Sequence, residues 1–371
     1  MRPSSLALLL LLAVAASCTR EPTDPAIEPQ QPSKPQGPPG VPPYDRWPGI
    51  NGKSGVNGDP LIDRASVEAF CKWRGRSCGV AHVYTDRKSW HAMTHAGWMF
   101  DNMVGFRGQL IVSQGLVPEG HKDDLPACAR GEHDQDFRDF GNMMVLKGRG
   151  DSIVRLGWEF NGDFMSWAAT DAETWKQCYR RAALAIRESA PRVKLDWTIN
   201  AHGTPSSICG GVSTNCYPGD DVVDIIGIDN YDMFPSAKTK AEFDKISAAP
   251  DGLTWTYQFA KRRGKKFSVG EWGIAPGAGG NSSGENPEFI RWMHEWFAQH
   301  ADDLVYEAYF NSCEDKLVES NMYRPVGKDC GRQNHGAASL YKELFGGEAA
   351  GGDALLDDGR RGVTGTTRPG N

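Results

Sequence analysis

The chain predicts a (β/α)8 (TIM) barrel formed as a single catalytic domain over residues 44–346, and three observations predict it. Short apolar runs alternate with helical segments, about eight of each over roughly 270 residues, which is the size of that barrel. Two runs end alike, in Gly157-Trp158-Glu159 and in Gly270-Glu271-Trp272, placing an acid beside a Trp where turn residues begin. No Gly-x-Gly-x-x-Gly follows the first strand, which removes support from the alternative, a doubly wound open sheet.

The chain opens on a targeting segment. Met1-Arg2 is basic, Leu6–Val14 is apolar and too short for a membrane span, and Ala15-Ala16-Ser17-Cys18 is a small-residue site. Residues 1–18 therefore read as a signal peptide. The Cys after Ala-Ala-Ser resembles a bacterial lipoprotein cleavage box, in which Cys18 is lipidated, although Ala15 stands where Leu is usual. Plain secretion with a cut at Ala13–Ala15 is the alternative. Residues 19–43, rich in Pro, Gln and Glu, read as an extended tether.

From Tyr44-Asp45-Arg46-Trp47 the repeat begins. Gly55–Asn57 is a weak first strand, followed by a helix around Ala65–Trp73. Val80–Tyr84 is the second strand, and a segment bearing Trp90, His91 and His95 follows. Gln109–Val117 is strand-like and leads into a long acidic loop reaching Gly131. Phe137–Lys147 has helical spacing, with Phe140, Met143, Met144 and Leu146 apolar. Ile153–Gly157 reads as a buried strand, and Ala172–Ser189 as a helix. Lys194–Asn200, Val222–Asp229, Phe267–Glu271 and Leu304–Asn311 complete the strands, with helices at Thr254–Arg263 and Pro287–His300. The Gly- and Asp-rich residues 347–371 read as a disordered tail.

Composition narrows the function classes. With 39% hydrophobic residues a large core is available, and a net charge of -6 argues against a nucleic-acid surface. Twelve Trp offer platforms for sugar rings, although any single one is more often core. Nine Cys leave eight once Cys18 is set aside, an even number suited to disulfides in an exported protein. Close spacing suggests Cys71–Cys78, Cys209–Cys216 and Cys313–Cys330, leaving Cys128 with Cys178, one choice among about 105 pairings. No Cys-x-x-Cys occurs, so no zinc site of that kind is expected, nor any other metal or a cofactor. A monomer is expected, touching membrane only through a lipid.

The chemistry converges on the two strand-ending glutamates. In a parallel barrel the C-terminal ends of the strands share one face, so Glu159 after the fourth strand and Glu271 after the seventh can face each other across a substrate. Trp158 and Phe160 would desolvate Glu159 and raise its pKa, as a general acid needs. Two such carboxylates are the components of a retaining glycosidase. Around them, Asn161 and Asn200 can bond sugar hydroxyls or serve turns, and His202, after the fifth strand where loops line the cleft, is either a substrate or acid/base contact or a structural residue. Trp158, Trp167, Trp272 and Tyr309-Phe310 are candidate sugar contacts or platforms. Arg155 reads as one half of a structural ion pair below the site, Asp229 as a strand-end acid near Tyr231, and Asp224 as solvated. Cys209–Cys216 would stiffen one wall.

The blocks RLGWEFNGDFMSWA, VDIIGIDNYD and SVGEWG, in that order, resemble glycoside hydrolase family 26 over roughly Trp47 to Leu344. That family includes β-mannanases, with some members acting on β-xylan or mixed-linkage β-glucan. The resemblance implies Glu159 as acid/base, Glu271 as nucleophile, and Tyr231 as the hydroxyl that positions the nucleophile. Two departures fall on substrate contacts. Trp158 stands where the family's mannanases usually carry His, and Phe164 and Ser166 replace two Trp of the WFWWG stretch. The function implied is a retaining endo-β-glycanase acting on polysaccharide, β-1,4-mannan first, with β-xylan or β-glucan as alternatives. A surface lipoprotein that binds polysaccharide without cutting it is the competing class.

Overall fold

Each strand is a short run whose alternate residues face opposite ways, and in this computed structural model eight of them pair in sequence until the last closes on the first. The structure describes residues 53–58, 61–313, 316, 318–325 and 330–346. The signal segment with Cys18, the 19–43 tether, Tyr44–Trp47 and the 347–371 tail lie outside them.

The strands are β1 (Lys53–Asn57), β2 (Val80–Tyr84), β3 (Gln109–Gln114), β4 (Ile153–Leu156), β5 (Lys194–Asn200), β6 (Ile225–Tyr231), β7 (Lys266–Gly273) and β8 (Leu304–Phe310). Every pairing is parallel. The helices are α1 (Arg64–Arg74), α2 (Trp90–Thr94), α3 (Gly97–Asn102), α4 (Leu125–Ala129), α5 (Asp134–Leu146), α6 (Ala172–Ser189), α7 (Lys240–Ala248), α8 (Leu253–Arg262), α9 (Pro287–Gln299) and α10 (His335–Phe345). The (β/α)8 barrel read from the sequence is thus the fold.

Local chemistry sets the element ends. Asp63 caps α1 through a reciprocal bond pair with Ser66, and Gly75 ends it in the left-handed region. In α6, capped by Asp171, the residues Trp175, Cys178, Tyr179, Ala182 and Ile186 recur at helical spacing and are all buried. The acidic segment expected as loop contains α4, and α7 and α10 were not expected. In α7 only Phe243 and Ser247 are buried, too few for a legible stripe. β6 starts later than Val222, because Asp224 breaks the run. Its half-buried carboxylate accepts from the Leu195 backbone N–H and pairs with Arg187, both at 2.9 Å, so it is not simply solvated.

Alternation divides the strands between two cores. Val80, Ile111, Ile153 and Ile225 point inward near the strand starts and plug the barrel floor with Tyr306. Val154, Leu156, Val269 and Trp272 point outward into the main core shared with the helices. The four expected disulfides all form, and Cys128–Cys178 ties α4 to α6.

Candidate active site

Above the apolar floor the barrel interior turns polar, and one cation organises it. Arg155, inward-facing on β4 and fully buried, must be paired to be tolerated there. Its guanidinium bonds Asp229 of β6, Glu271 Oε1 at 2.9 Å and Ser113 Oγ at 3.0 Å. It also donates to His82 Nε2 at 3.1 Å, which leaves His82 Nδ1 to donate to the Gly270 carbonyl at 3.2 Å. Burial first, then the Arg155 charge, holds His82 well below the ordinary imidazole range, so the ring is neutral. The ion pair expected below the site therefore lies within it, since one partner is Glu271.

Gly270 is required by this packing. A Cβ there would stand 2.5 Å from Arg155 Nε. The β6–β7 register also slips at this point, pairing Ile228 with Val269 but Asp229 with Glu271. This bulge leaves Gly270 unpaired and aims Glu271 at the mouth of the barrel.

Glu271 receives three donors. Tyr84 at the end of β2 donates to Oε1 and Tyr231 at the end of β6 to Oε2, each at 2.8 Å, beside the Arg155 bond. A carboxylate held at both oxygens by hydroxyls and a guanidinium is oriented and fixed. The Tyr231 bond is the one its motif implied.

Glu159 is held differently. It follows β4 with φ 54°, its N–H bonded to the Thr198 carbonyl at 3.0 Å. Asn200 Nδ2 donates to its Oε1 at 2.5 Å. Burial first and the Glu271 charge second push its carboxyl up to about 8, against the weaker opposing pull of Asn200, Arg155 and Arg87. Single oxygens of Glu159, Asp229 and Glu271 lie within 4.8 Å of one another. Arg155 already meets two of these three carboxylates directly, which makes the cluster an acid pair with its own counter-cation.

Two cavities meet at the acids. One of about 390 Å3 is lined by Tyr84, Arg87, Trp98 and Trp158. The other, of about 690 Å3, is lined by Phe164, Asn200, His202, Tyr231 and Phe234. Glu159, Glu271 and Phe310 belong to both, so a continuous cleft crosses the barrel mouth.

The remaining sequence candidates divide. Trp158 and Phe310 line the cleft as expected, and Phe310 packs edge-on against Tyr231. His202 is a wall residue that burial pulls down to about 4, so it is neutral. Asn161 is fully buried and its amide holds the Asn200 backbone from both sides, at 2.9 and 2.7 Å, so it positions Asn200. Trp272 is not a platform: it is outward-facing and buried, its Nε1 bonded to Glu307 at 2.5 Å. Tyr309 faces the same layer, against Trp272 and Tyr341. Trp167 lies behind Trp158, donating to its carbonyl at 2.7 Å, and presents no face to a sugar. Phe160 turns onto Trp175 and Trp197, so Trp158 and not Phe160 covers the acid.

Tyr84 and Arg87 were missed. A strand-end Tyr carries no distinguishing sequence signal, whereas Arg155 did carry one, as a charge within the apolar run IVRL.

Comparison with known proteins bears out the resemblance. The model of glycosyl hydrolase family 26 matches residues 150–265, the segment holding Glu159, Asn200 and Tyr231. A mannan endo-1,4-beta-mannosidase of Bifidobacterium adolescentis is 27% identical over 162 residues, 42% of this chain but only 16% of that protein. Among solved structures, the catalytic domain of a GH26 endo-beta-1,4-mannanase from Bacillus sp. JAMB-750 is 17% identical with a TM-score of 0.56, covering 80% of this chain and 85% of that one. The modular endo-beta-1,4-mannanase of Cellulomonas fimi is 18% identical with a TM-score of 0.50, covering 70% and 58%. A fungal beta-1,4-galactanase reaches the same TM-score of 0.56 at 11% identity, so these likenesses show the barrel and not the sugar.

Proposed function

With residues 150–265 matching glycosyl hydrolase family 26, we propose that the chain is a retaining endo-β-glycanase, with β-1,4-mannan first among its substrates. The observation that carries this reading is the approach of Glu159 and Glu271 oxygens to within 4.8 Å in a cleft open on both sides. Retention works at a carboxyl separation of about 5–5.5 Å, whereas inversion needs about 6.5–9.5 Å to admit a water. Glu271, oriented by Tyr84, Tyr231 and Arg155, attacks the anomeric carbon, and its bond to that carbon forms as the glycosidic bond breaks. Glu159, protonated at neutral pH, gives its proton to the departing oxygen. It then takes a proton from the water that releases the sugar from Glu271.

The endo assignment is supported by the cleft continuing past the acids to exposed Trp98 on one side and Phe164 on the other. Trp158, in place of the family's usual His, keeps β-xylan and β-glucan as alternatives. Purified protein incubated with mannan, xylan and mixed-linkage β-glucan tests the reading. Internal cuts giving oligosaccharides of retained configuration are expected from one of them. Binding without cleavage of any would favour the polysaccharide-binding lipoprotein. We further propose export as a monomer lipidated at Cys18; soluble wild-type protein beginning at Ala16 would rule the anchor out.

A further inference from the structure

Beyond the acids, the smaller cavity contains a cation, Arg87, whose part in the proposed hydrolysis is only a weak pull on the Glu159 carboxyl. Arg87 follows β2 and lies with its guanidinium carbon 5.9 Å from the centroid of the Trp158 ring. Its Nε pairs with Glu119 Oε1 at 3.0 Å. Among the described residues its two Nη groups make no hydrogen bond. With Nε turned to Glu119 and the guanidinium over the Trp158 indole, those two groups form a fork open to the cavity. Trp98, 47% exposed, lines the same cavity and offers a ring face.

We propose that Arg87 and Trp98 form a sugar subsite on the β2 side of the cleft, in which Arg87 donates to two adjacent hydroxyls of a neutral sugar and Trp98 stacks on its ring. The inference rests on the glycanase reading and names the residue that selects substrate there. Charge decides between a neutral and an acidic sugar. Glu119 already pairs Arg87, and Asp229 and Glu271 both pair Arg155, so neither guanidinium offers an unpaired charge. A carboxylate would find no free cation to offset its desolvation, whereas hydroxyls accept from the fork without that cost. The indole supplies the apolar surface that the C–H face of a sugar ring covers.

The test compares Arg87→Met, Arg87→Lys and Trp98→Ala with wild type, each checked for unchanged melting temperature. Kinetics are read on whichever neutral glycan wild type cleaves. Binding of β-1,4-linked manno-, xylo- and cello-pentaose is read by calorimetry in a Glu271→Ala background. Arg87→Met should raise KM and weaken the preferred pentaose by about tenfold to hundredfold, the effect of losing hydrogen bonds to a charged donor, with kcat within about threefold. Arg87→Lys should restore part of the affinity, and Trp98→Ala should weaken it independently. Unchanged KM and affinity in Arg87→Met would overturn the proposal, as would a fall in kcat at constant KM, which would place Arg87 with the acid and not with the sugar. Tighter, steeply salt-dependent binding of a uronic-acid pentaose would overturn the neutral class. Because binding is read directly, it reports on Arg87 even if no glycan is cut, and that failure would sink the glycanase reading alone.

Discussion

Replacing Glu271 with Gln should pull the Glu159 titration down from about 8 to about 5.5. The substitution removes the charge of Glu271 but keeps its size and most of its hydrogen bonds. At 4.8 Å, the outer limit of their approach, and an effective dielectric of about 20, two unit charges repel by about 3.5 kcal/mol, or about 2.5 pKa units. Burial, the larger cause of the shift, is untouched, so the midpoint should stay above the ordinary value of 4.5. The assay is a 13C titration of Glu-labelled protein between about pH 4 and 10, with Glu159→Gln assigning the resonance. A midpoint that moves by less than about half a unit, or rises, would refute the argument that the two acids feel each other at this range. The same fall is what the proposed mechanism needs. In it, esterification of Glu271 by the sugar would remove its charge, and Glu159 would become acidic enough to act as the base for the incoming water.

Three other outcomes follow from the same geometry. A folded-state pKa of about 8 against an ordinary 4.5 means stability is complete below pH 4.5 and is lost as pH rises towards 8. Glu159→Gln escapes that loss, so its melting temperature should exceed wild type by an amount growing over this window, equivalent to about 4 kcal/mol at pH 8; a pH-independent difference would contradict it. Glu159→Ala should lose polysaccharide cleavage yet keep the first step on an aryl glycoside, accumulate the covalent intermediate and recover turnover with azide, whereas Glu271→Ala should fail on both substrates. Arg155→Met leaves Asp229 and Glu271 buried without their cation and should cost about 3–5 kcal/mol in denaturant unfolding; a cost below about 1 kcal/mol would show the pairing to be incidental.

The barrel was legible because alternation and turn residues mark strands such as Ile153–Gly157 and Phe267–Glu271 on their own. So were the two acids, since each closes a strand beside Gly and Trp. What the sequence does not encode is the side a neighbour faces. Trp158 and Trp272 each adjoin a strand-end glutamate, yet one covers the cleft and the other is buried against α10, because the bulge at Gly270 and the turn at Glu159 reset the alternation differently. The partners of Glu271 were hidden for another reason. Tyr84 and Arg155 come from strands far apart in the chain, and only closure of the barrel brings them to one carboxylate.

The outward aromatics beside the two acids have a consequence for heating. Phe160 and Trp272 fasten the backbone at each glutamate to the outer layer, against Trp175 of α6 and Trp197 of β5 on one side and Phe345 of α10 on the other. The two carboxylates therefore cannot drift apart while that layer holds, and the proposed chemistry on a small aryl glycoside should survive until the molecule melts as a whole. Arg87, Phe164 and Phe234 stand on loops and Trp98 on the short helix α3, with no such fastening, and the three rings are exposed. Warming should loosen the grip on a long glycan first, so that KM for polymer climbs degrees before the turnover of short substrates fails.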